Sequence, residues 1–498
     1  MTTDTSEKGL ETLIMRHMTG LAGFAVTPSS VQEKPDATGT GYFAGSPKDY
    51  DRGQALDVPQ LFAFLRVTQP EAFKKLAMTD ASDYKDINRL KFLARLSSEI
   101  GKRGVIDVLR KGVEHGPVHF DLFYGTPSPG NAKAEALHAQ NRFSITRQLA
   151  YSMDETRRAL DLCLFINGLP IATFELKNSL TKQTVEDAVE QYRRDRDPRE
   201  RLFEFGRCVV HFAVDDSEVQ MCTELKGKSS WFLPFNKGYN DGAGNPPNPH
   251  GLKTDYLWKE VLTPKTLTNI LENYAQIVEE KDPRTGKKKR KQVWPRYHQL
   301  GVVRQALADV CTHGSGKRYL IQHSAGSGKS NSIAWLSHQL IGLKRDDKEI
   351  FDSVIVVTDR RLLDDQIQTT IKQFMQVSAT VGHAEHSGDL RKFIEEGKKI
   401  IVSTVQKFPF ILDEIATEAG KTFAIIIDEA HSSQGGKTSA AMSQALSAPT
   451  GDEEEGAADP EDVVNEALAK RMQERKMLTN ASYFAFTATP KNLSLIHI

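Results

Sequence analysis

The chain has few of the features that mark secreted, membrane-embedded or unfolded proteins. Only four cysteines occur among its 498 residues, and no CxxC pair is formed by Cys163, Cys208, Cys222 and Cys311. Three of them lie inside or beside apolar runs, which is typical of buried thiols in a reducing compartment. The N-terminus lacks a basic segment followed by an apolar one, so no signal peptide is predicted. No apolar run approaches the ~18 residues that a membrane span needs. We therefore expect a cytoplasmic protein without a membrane segment.

Neither sign of charge is in excess. The 65 Lys and Arg residues balance the 65 Asp and Glu residues, which excludes a uniformly positive surface but allows a local patch that binds nucleic acid. With 39% apolar and 26% charged residues, the composition is that of a globular protein and excludes a disordered or coiled-coil chain. The length predicts roughly three ordinary domains.

Two polar stretches interrupt the chain. Residues 279–292 contain seven basic residues and no apolar side chain, and residues 451–462 are acidic and rich in small residues. The first is predicted to be a solvated linker because it has nothing to bury, and the second to be a surface insertion. The predicted division is a first domain over 1–278, a basic linker over 279–292 and a second domain over 293–498.

Five short apolar runs in the second domain predict buried strands of a parallel sheet. They are β-branched or aromatic, they do not alternate with polar residues, and helical stretches such as Ser330–Leu343 lie between them. The runs are Tyr319–Gln322, Ser353–Val357, Lys399–Val402, Phe423–Ile427 and Tyr483–Phe486. This βαβ pattern predicts a doubly wound α/β domain. A polar cluster follows each run, at the sheet edge where such folds bind ligands.

The cluster after the first run, His323-Ser-Ala-Gly-Ser-Gly-Lys-Ser330, has the pattern of a phosphate-binding loop. Gly326 and Gly328 flank Ser327 and let the backbone approach phosphates, and the following helix N-terminus favours anions. Lys329 is predicted to reach the β- and γ-phosphates of ATP, and the Ser330 hydroxyl to bind Mg²⁺. The full pattern has Gly at the position of His323, but GSGKS is intact.

The cluster after the fourth run is Asp428-Glu-Ala-His431. Asp428 is a candidate Mg²⁺ partner, and Glu429 a candidate base that positions and deprotonates the attacking water. An acidic pair after a strand is also typical of a helix cap. The order of the phosphate loop and this acidic pair along the chain favours a nucleotide-hydrolysing site.

The first domain contains a predicted hairpin centred on Asn167-Gly168. A turn there places Asp161 opposite Glu175, and the period of two along a strand puts Glu175 and Lys177 on one face. Two carboxylates that hold Mg²⁺ beside a lysine that orients water would suit a nuclease. The spacing Asp-x13-Glu-x-Lys is that of the PD-(D/E)xK nuclease core. The alternative is a solvated hairpin with a salt bridge.

Helical spacing over Thr184–Arg196 predicts a helix that packs behind this hairpin. Its basic residues are candidates for phosphate contact or for a plain charged face; they are Arg193, Arg194 and Arg196, followed by Arg199 and Arg201. Glu11, on the apparent helix Gly9–Leu21, is either an additional metal-site carboxylate or a surface residue.

The second domain resembles the first motor lobe of superfamily 2 helicases and translocases, from Arg296-Tyr-His-Gln299 to Thr487-Ala-Thr-Pro490. The resemblance implies that Gln299 contacts the adenine of ATP and that Thr404 and Gln406 contact a nucleic-acid backbone. Such motors carry a second RecA-like lobe with an arginine finger. Since the chain ends soon after Pro490, we expect a truncated product that binds ATP without hydrolysing it efficiently.

The whole order of motifs resembles the R subunit of type I restriction-modification enzymes. The resemblance rests on Asn141–Gln148, the 160–178 hairpin, Phe232–Gly238, Pro295–Gln299 and the motor motifs. It implies Asp161, Glu175 and Lys177 as nuclease residues, with Gln191 in doubt because the Gln-xxx-Tyr spacing of the family is not kept.

That resemblance also implies a PD-(D/E)xK nuclease-like α/β domain before a RecA-like lobe, ATP and Mg²⁺ as cofactors, and double-stranded DNA as substrate. The partners would be a methyltransferase (M) and a specificity (S) subunit. Two alternatives remain: a DEAH-type motor with a nuclease-like domain that binds DNA without cutting, and a DEAH-type helicase or repair enzyme with a nuclease domain.

Overall fold

A computed structural model of the chain describes two compact units, residues 1–297 (unit 1) and 298–498 (unit 2). The residues described are 7–21, 34–35, 37–78, 85–154, 158–178, 181–240, 242–281, 286–324, 326–358, 370–371, 381–383, 389, 392–394, 396–404, 415, 420–428, 480–487 and 496–497. Within these residues no helix is long and apolar enough to cross a bilayer.

Unit 1 begins with helices and short strands and then builds a mixed sheet. Its helices are α1 (Glu7–Thr19), α2 (Val58–Thr68), α3 (Pro70–Leu76), α4 (Ile87–Arg103), α5 (Val105–Lys111), α6 (Ala132–His138), α7 (Val185–Asp195) and α8 (Pro264–Asn273). Its strands are β1 (Phe43–Ala44), β2 (Tyr50–Asp51), β3 (Leu56–Asp57), β4 (Val113–His115), β5 (Val118–Phe120), β6 (Phe143–Ala150), β7 (Ala159–Ile166), β8 (Leu169–Leu176), β9 (Val210–Val214), β10 (Val219–Cys222), β11 (Leu233–Pro234), β12 (Gln276–Lys281) and β13 (Lys288–Val293).

The main sheet of unit 1 has the order β1-β6-β7-β8-β9-β10-β11. The antiparallel pair β7–β8 is central, and β9 runs parallel to β8. The predicted turn is present: Asn167 and Gly168 have φ of +50° and +79°, as a two-residue type I′ hairpin requires. Leu162 pairs with Phe174, and a register shift between Leu164 and Phe165 separates this pairing from that at the turn, where Ile166 pairs with Leu169. The register of Leu162, continued by one residue, places Asp161 opposite Glu175 as predicted, whereas the register of the turn alone would place Asp161 opposite Phe174.

Helix α7 packs on this sheet, as its spacing predicted. Thr184 caps the helix in a capping box with Asp187, and Val185, Ala188, Val189 and Tyr192 enter a core shared with Leu160, Cys163 and Phe165. The helix ends at Asp195, and Arg196 has an extended backbone with φ of −105° and ψ of 101°. Arg196 therefore leaves the helical periodicity on which its placement on a charged face depended.

Residues 279–292 do not form the predicted linker. β12 and β13 pair antiparallel from Gln276–Val293 to Lys281–Lys288, so most of the basic stretch belongs to a hairpin of unit 1. Lys288 pairs with Glu279 at 2.9 Å and Lys291 with Glu280 at 3.2 Å. Charges of opposite sign on facing strands thus support the pairing at the exposed end of the hairpin, while Val278 and Val293 are buried nearer its base.

One buried side chain anchors that hairpin. The Gln292 amide donates to the carbonyl oxygens of Cys208 and Val209 at 2.7 and 2.8 Å, and to that of Thr223 at 3.1 Å. The composition of 279–292 gave no sign of this contact, because a single glutamine among lysines looks solvated.

Unit 2 contains two described helices and a parallel sheet. Helix α9 (Tyr297–His313) begins at the boundary between the units, and α10 (Lys329–Ile341) follows the first strand. The strands are β14 (Arg318–Gln322), β15 (Lys344–Arg345), β16 (Lys348–Glu349), β17 (Ser353–Thr358), β18 (Val381–His383), β19 (Ile400–Thr404), β20 (Phe423–Ile427), β21 (Ala481–Thr487) and β22 (Ile496–His497), of which β15 and β16 form a separate ribbon. The order in the parallel sheet is β18-β19-β17-β20-β21-β14-β22.

The five predicted buried strands are confirmed as β14, β17, β19, β20 and β21, and all their pairings in this sheet are parallel. Side chains of β17, β19, β20 and β21 are buried throughout, which explains why these segments are uninterrupted apolar runs. Residues 492–498 showed no pattern in the sequence, yet Ile496 pairs with Tyr319 beside β14.

Candidate functional site

Asp161, Glu175 and Lys177 are brought together on the central hairpin of unit 1. Asp161 lies on β7 and Glu175 on β8, and Lys177 follows β8 with its backbone N–H donating to Val214 O at 2.8 Å. Glu175 is fully buried, and both Asp161 and Lys177 lie close enough to act electrostatically on its carboxyl group. The pairing of β7 with β8 is therefore what assembles two acids and a lysine on one face.

Asp161 is held from two sides. Its Oδ2 accepts from the backbone N–H of Leu176 at 2.7 Å, and its Oδ1 accepts from Gln148 Nε2 at 3.4 Å. Gln148 lies on β6 between paired residues and has a φ of +49°, a left-handed conformation that is strained for a residue with a side chain. This local distortion of β6 places the Gln148 amide next to the Asp161 carboxylate.

Glu11 is not a surface residue. It lies on α1 and is buried, its Oε2 accepts from Gln148 Nε2 at 3.0 Å, and Arg147 Nε lies 3.2 Å from its Oε1. Gln148 thus connects Glu11 to Asp161. Helical spacing could not reveal this placement, because the contact depends on α1 packing against a distant strand.

Arg196 forms a buried ion pair with Glu175, with Arg196 Nε 2.5 Å from Glu175 Oε1. Its other nitrogens donate to Ala159 O at 2.9 Å and to the Tyr151 hydroxyl at 3.3 Å. The second oxygen of the carboxyl group, Glu175 Oε2, is buried and has no hydrogen-bond partner in the structure. The sequence presented Arg196 as one of several arginines of a charged helix, so its pairing with Glu175 was missed.

Burial raises the pKa of the Glu175 carboxyl to about 8. Arg196 and Lys177 lower this pKa and Asp161 raises it further, so burial outweighs the two cations. A carboxylate oxygen that is buried without a donor, beside a second carboxylate, fits a hard cation such as Mg²⁺. In the part of the chain that is described, however, no group of three or more His, Cys, Asp or Glu residues is arranged to hold a metal ion.

Next to Glu175, three buried polar side chains form a hydrogen-bonded network that joins β8 to α7 and β9. Thr173 lies two residues earlier on β8, and its hydroxyl is 2.8 Å from the Tyr192 hydroxyl and 2.7 Å from His211 Nδ1. Burial lowers the pKa of His211 to about 3, so the imidazole is neutral at physiological pH. Gln191, the neighbour of Tyr192, has a buried Oε1 without a hydrogen-bond partner in the structure.

The other arginines after the hairpin are placed differently from Arg196. Arg193 and Arg194 both pair with Glu190, at 3.2 and 2.8 Å, and Arg199 pairs with Asp197 at 2.6 Å. Arg201 pairs with Glu204 at 3.0 Å. These are surface or partly exposed pairs, and their contact with phosphate stays a prediction.

In unit 2, the loop between β14 and α10 has the backbone that a phosphate-binding loop needs. Gly326 and Gly328 have φ of +74° and +87°, which favour glycine. A Cβ at Gly328 would lie only 2.4 Å from Gln299 Nε2. The Gln299 amide donates to Ser327 O at 3.1 Å and to Gly328 O at 3.0 Å, so this buried glutamine braces the loop. Its contact with adenine stays a prediction.

His323 replaces the glycine of the usual pattern without opening the loop. Its ring is buried, with Nδ1 2.6 Å from Ser327 Oγ and Nε2 3.3 Å from Ser332 Oγ. Its backbone N–H donates to Thr487 O at 2.7 Å, joining the ends of β14 and β21. The imidazole thus ties the loop to the first turns of α10.

Lys329 and the acid after β20 meet at the carboxyl edge of the sheet. Lys329 Nζ lies 3.7 Å from Asp428 Oδ1, and both side chains are nearly buried. The Asp428 N–H donates to Val357 O at 2.9 Å, which fixes the acid beside the end of β17. Ser330 is the second residue of α10.

Of the remaining motif residues of unit 2, Thr404 ends β19 at the same sheet edge. Four others lie outside the described residues: Gln406, Glu429, His431 and Thr489.

Two family models match the chain in the order of its units. Residues 298–494 match the SWI2/SNF2 ATPase family, and residues 83–230 match the type I restriction enzyme R protein N terminus. The chain thus combines a match to an ATPase family with a match to the N-terminal part of type I restriction enzyme R proteins. It is similar to the R subunits of type I restriction enzymes, as its motifs predicted.

Curated relatives carry the same assignment. The chain is 26% identical over 385 residues to the putative type I restriction enzyme MjaIXP endonuclease subunit of Methanocaldococcus jannaschii, covering 70% of this chain and 31% of that protein. It is 26% identical over 367 residues to the type I restriction enzyme HindI endonuclease subunit of Haemophilus influenzae, covering 71% and 32%. The chain thus spans about a third of the length of these relatives.

Solved structures align only weakly. The UvsW helicase from bacteriophage T4 aligns with a TM-score of 0.23 and 13% identity, over 40% of this chain and 54% of that one. A DEAD box protein from the hyperthermophile Methanococcus jannaschii aligns with a TM-score of 0.25 and 17% identity, over 39% and 44%. At such scores, the parallel strand order and the loop geometry carry the fold assignment.

Proposed function

We propose that this chain supplies the DNA-cutting and ATP-driven translocating activities of a type I restriction enzyme. Double-stranded DNA would be cut with Mg²⁺ after ATP-driven movement of the duplex. The observation that carries the proposal is the convergence of Asp161, Glu175 and Lys177 on one hairpin, in a chain whose second unit matches an ATPase family.

Asp161 and Glu175 would hold the Mg²⁺ ion of the nuclease site. When bound, the ion lowers the pKa of a water molecule and stabilises charge that develops on the scissile phosphate. The chain's own contribution is positional: the Leu176 N–H and Gln148 fix Asp161, and Arg196 fixes Glu175. Lys177 is the candidate to orient the attacking water and to neutralise charge on the phosphate.

In unit 2, the N–H groups of the 326–330 loop and Lys329 would hold the phosphates of ATP, with Ser330 and Asp428 at its Mg²⁺ ion. Lys329 already lies at Asp428, so the positive charge is placed at the edge of the sheet where phosphates bind. Glu429 is the candidate that positions the water for hydrolysis, and Gln299 the candidate at the adenine.

Methyltransferase and specificity subunits are the proposed partners, because the relatives of this chain are subunits of type I restriction enzymes. The test is cleavage of plasmid DNA by the full-length assembly, in which the second motor lobe is present. With Glu175→Ala we expect cleavage to disappear while DNA-stimulated ATP hydrolysis continues. Unchanged cleavage would refute the assignment of Glu175 and favour a domain that binds DNA without cutting.

A further inference from the structure

A buried arginine joins three separate segments of unit 1 at the candidate nuclease site. Arg196 is only 6% exposed and contacts Glu175 on β8, the carbonyl of Ala159 at the start of β7, and the hydroxyl of Tyr151. Its guanidinium also lies 5.5 Å from the centre of the Tyr151 ring. Contacts with three segments leave this side chain a single orientation.

Burial of the Arg196 guanidinium costs desolvation free energy, which the exposed arginines of α7 do not lose. A desolvated guanidinium destabilises a fold unless it is paired and hydrogen-bonded. Arg194, two residues earlier, remains 69% exposed beside Glu190. The chain ends the helix at Asp195 and turns Arg196 inward, so the ion pair with Glu175 is built into the backbone path.

The two oxygens of the Glu175 carboxyl group differ in their hydrogen bonding. Oε1 accepts from Arg196 Nε, whereas Oε2 is buried without a hydrogen-bond partner in the structure. A buried carboxylate oxygen without a donor is costly, so its orientation needs a reason. Asp161 and Lys177 act on the same carboxyl group, which places the second oxygen among the groups proposed to hold and use Mg²⁺.

We propose that Arg196 is a positioning residue: it holds Oε1 of Glu175 and thereby presents Oε2 to the metal ion of the nuclease site. This inference rests on the proposed nuclease function. The opposite arrangement, in which Arg196 occupies the place of the metal and must be displaced, predicts the opposite change in metal affinity. Removal of the arginine therefore separates the two.

The experiment measures Mn²⁺, a probe with a similar preference for oxygen ligands, by electron paramagnetic resonance on the nucleotide-free full chain. The nuclease site is defined as the bound Mn²⁺ that is lost in Glu175→Ala. With Arg196→Met we expect its dissociation constant to rise at least about tenfold, as loss of a charge-assisted hydrogen bond predicts. Tighter or unchanged binding would overturn the proposal.

Arg103→Met is the matched control, because Arg103 Nε pairs with Asp107 at 2.6 Å elsewhere in unit 1. Its Mn²⁺ affinity should equal that of the unchanged chain.

Two milder variants, Arg196→Lys and Tyr151→Phe, test the positioning role if Arg196→Met does not fold. Arg196→Lys keeps the charge but cannot make all three contacts, and Tyr151→Phe removes one of them. Both should weaken Mn²⁺ binding less than Arg196→Met, and wild-type affinity in both would refute the proposal.

Cleavage by the assembled complex gives the second readout. The Mg²⁺ concentration for half-maximal cleavage should rise in Arg196→Lys, while the rate at saturating Mg²⁺ stays within about twofold of the original. A loss of rate that saturating Mg²⁺ does not restore would contradict a positioning role. If the unchanged chain shows no Mn²⁺ that depends on Glu175, the nuclease function itself fails, which is a different result from an affinity that is insensitive to Arg196.

Discussion

At the scale of single residues, environment rather than residue type decides what each charged group can do. Glu175, Glu11 and Glu279 are the same amino acid, yet the first is buried against an arginine, the second is buried and bound by a glutamine, and the third is exposed in a surface ion pair. Of these three, Glu175 is the one that lies on the central hairpin and pairs with Arg196. This makes Glu175 the most informative position to change.

The buried Glu175 should make stability depend on pH. Its pKa is raised from 4.5 to about 8, so the folded state binds more protons than the unfolded state between these values. This contribution to the free energy of unfolding is complete below about pH 4.5 and is lost as pH rises through about 8. Urea denaturation across this range should show a smaller decline in Glu175→Gln than in the unchanged chain. An identical decline in both would contradict the raised pKa.

At the scale of elements, the hairpin β7–β8 sets the geometry of the candidate nuclease site through its turn. The Asn167 side chain bonds to Leu122 O and to the Arg142 N–H, and Gly168 O accepts from the Asp57 N–H at 2.9 Å. The turn pairs Ile166 with Leu169, and together with the register shift between Leu164 and Phe165 it brings Asp161 opposite Glu175.

Gly168→Ala should therefore destabilise unit 1. A Cβ there would lie 2.3 Å from the backbone oxygen of Asp57, in addition to the strain of a φ of +79°. We expect a loss of roughly 2–4 kcal/mol in chemical denaturation, from strain and forced backbone displacement. Gly130→Ala is the matched control, because Gly130 has a φ of +77° with no atom within 4 Å of a new Cβ. Equal losses at both sites would show that the close approach is unimportant.

The basic hairpin β12–β13 depends on Gln292 rather than on its lysines. Gln292→Met keeps the approximate shape but leaves three backbone carbonyls without this donor. A loss of about 1–3 kcal/mol in the free energy of unfolding is expected, the usual cost of unsatisfied buried groups. Lys289→Ser, at an exposed position of the same strand, should change stability by less than about 0.5 kcal/mol. A Gln292→Met chain as stable as the original would show that the anchor contributes nothing.

At the scale of the whole molecule, two sites of related chemistry are built on two separate units. Each candidate site combines a carboxyl group with a lysine, but that of unit 1 lies on a mixed sheet and that of unit 2 at the carboxyl edge of a parallel sheet. Because the two sites lie in different cores, we expect a change in one to leave ligand binding at the other intact.

Lys329→Ala tests this independence. Nucleotide affinity, measured by titration with a fluorescent ATP analogue, should fall at least about tenfold, because the cation at the phosphates is removed. The Mn²⁺ that depends on Glu175 should still bind with its original affinity. ATP affinity equal to that of the unchanged chain would refute the phosphate-loop assignment, and a parallel loss of Mn²⁺ would refute the independence of the two sites.

Local sequence determined much of this molecule. Apolar runs predict the five buried strands of unit 2, Asn167-Gly168 predicts the turn of the central hairpin, and the period of two predicts that Glu175 and Lys177 share a face. The placement of Asp161 opposite Glu175 depends in addition on the register shift between Leu164 and Phe165. These follow from local geometry, since strand alternation and turn preference act over a few residues. The tertiary structure alone decided that Arg196 turns inward to Glu175, that Gln148 joins Glu11 to Asp161, and that Gln292 anchors a hairpin in a stretch that reads as a linker. Such contacts join residues 13 to 137 positions apart, and no local preference encodes which buried partner a polar side chain will meet.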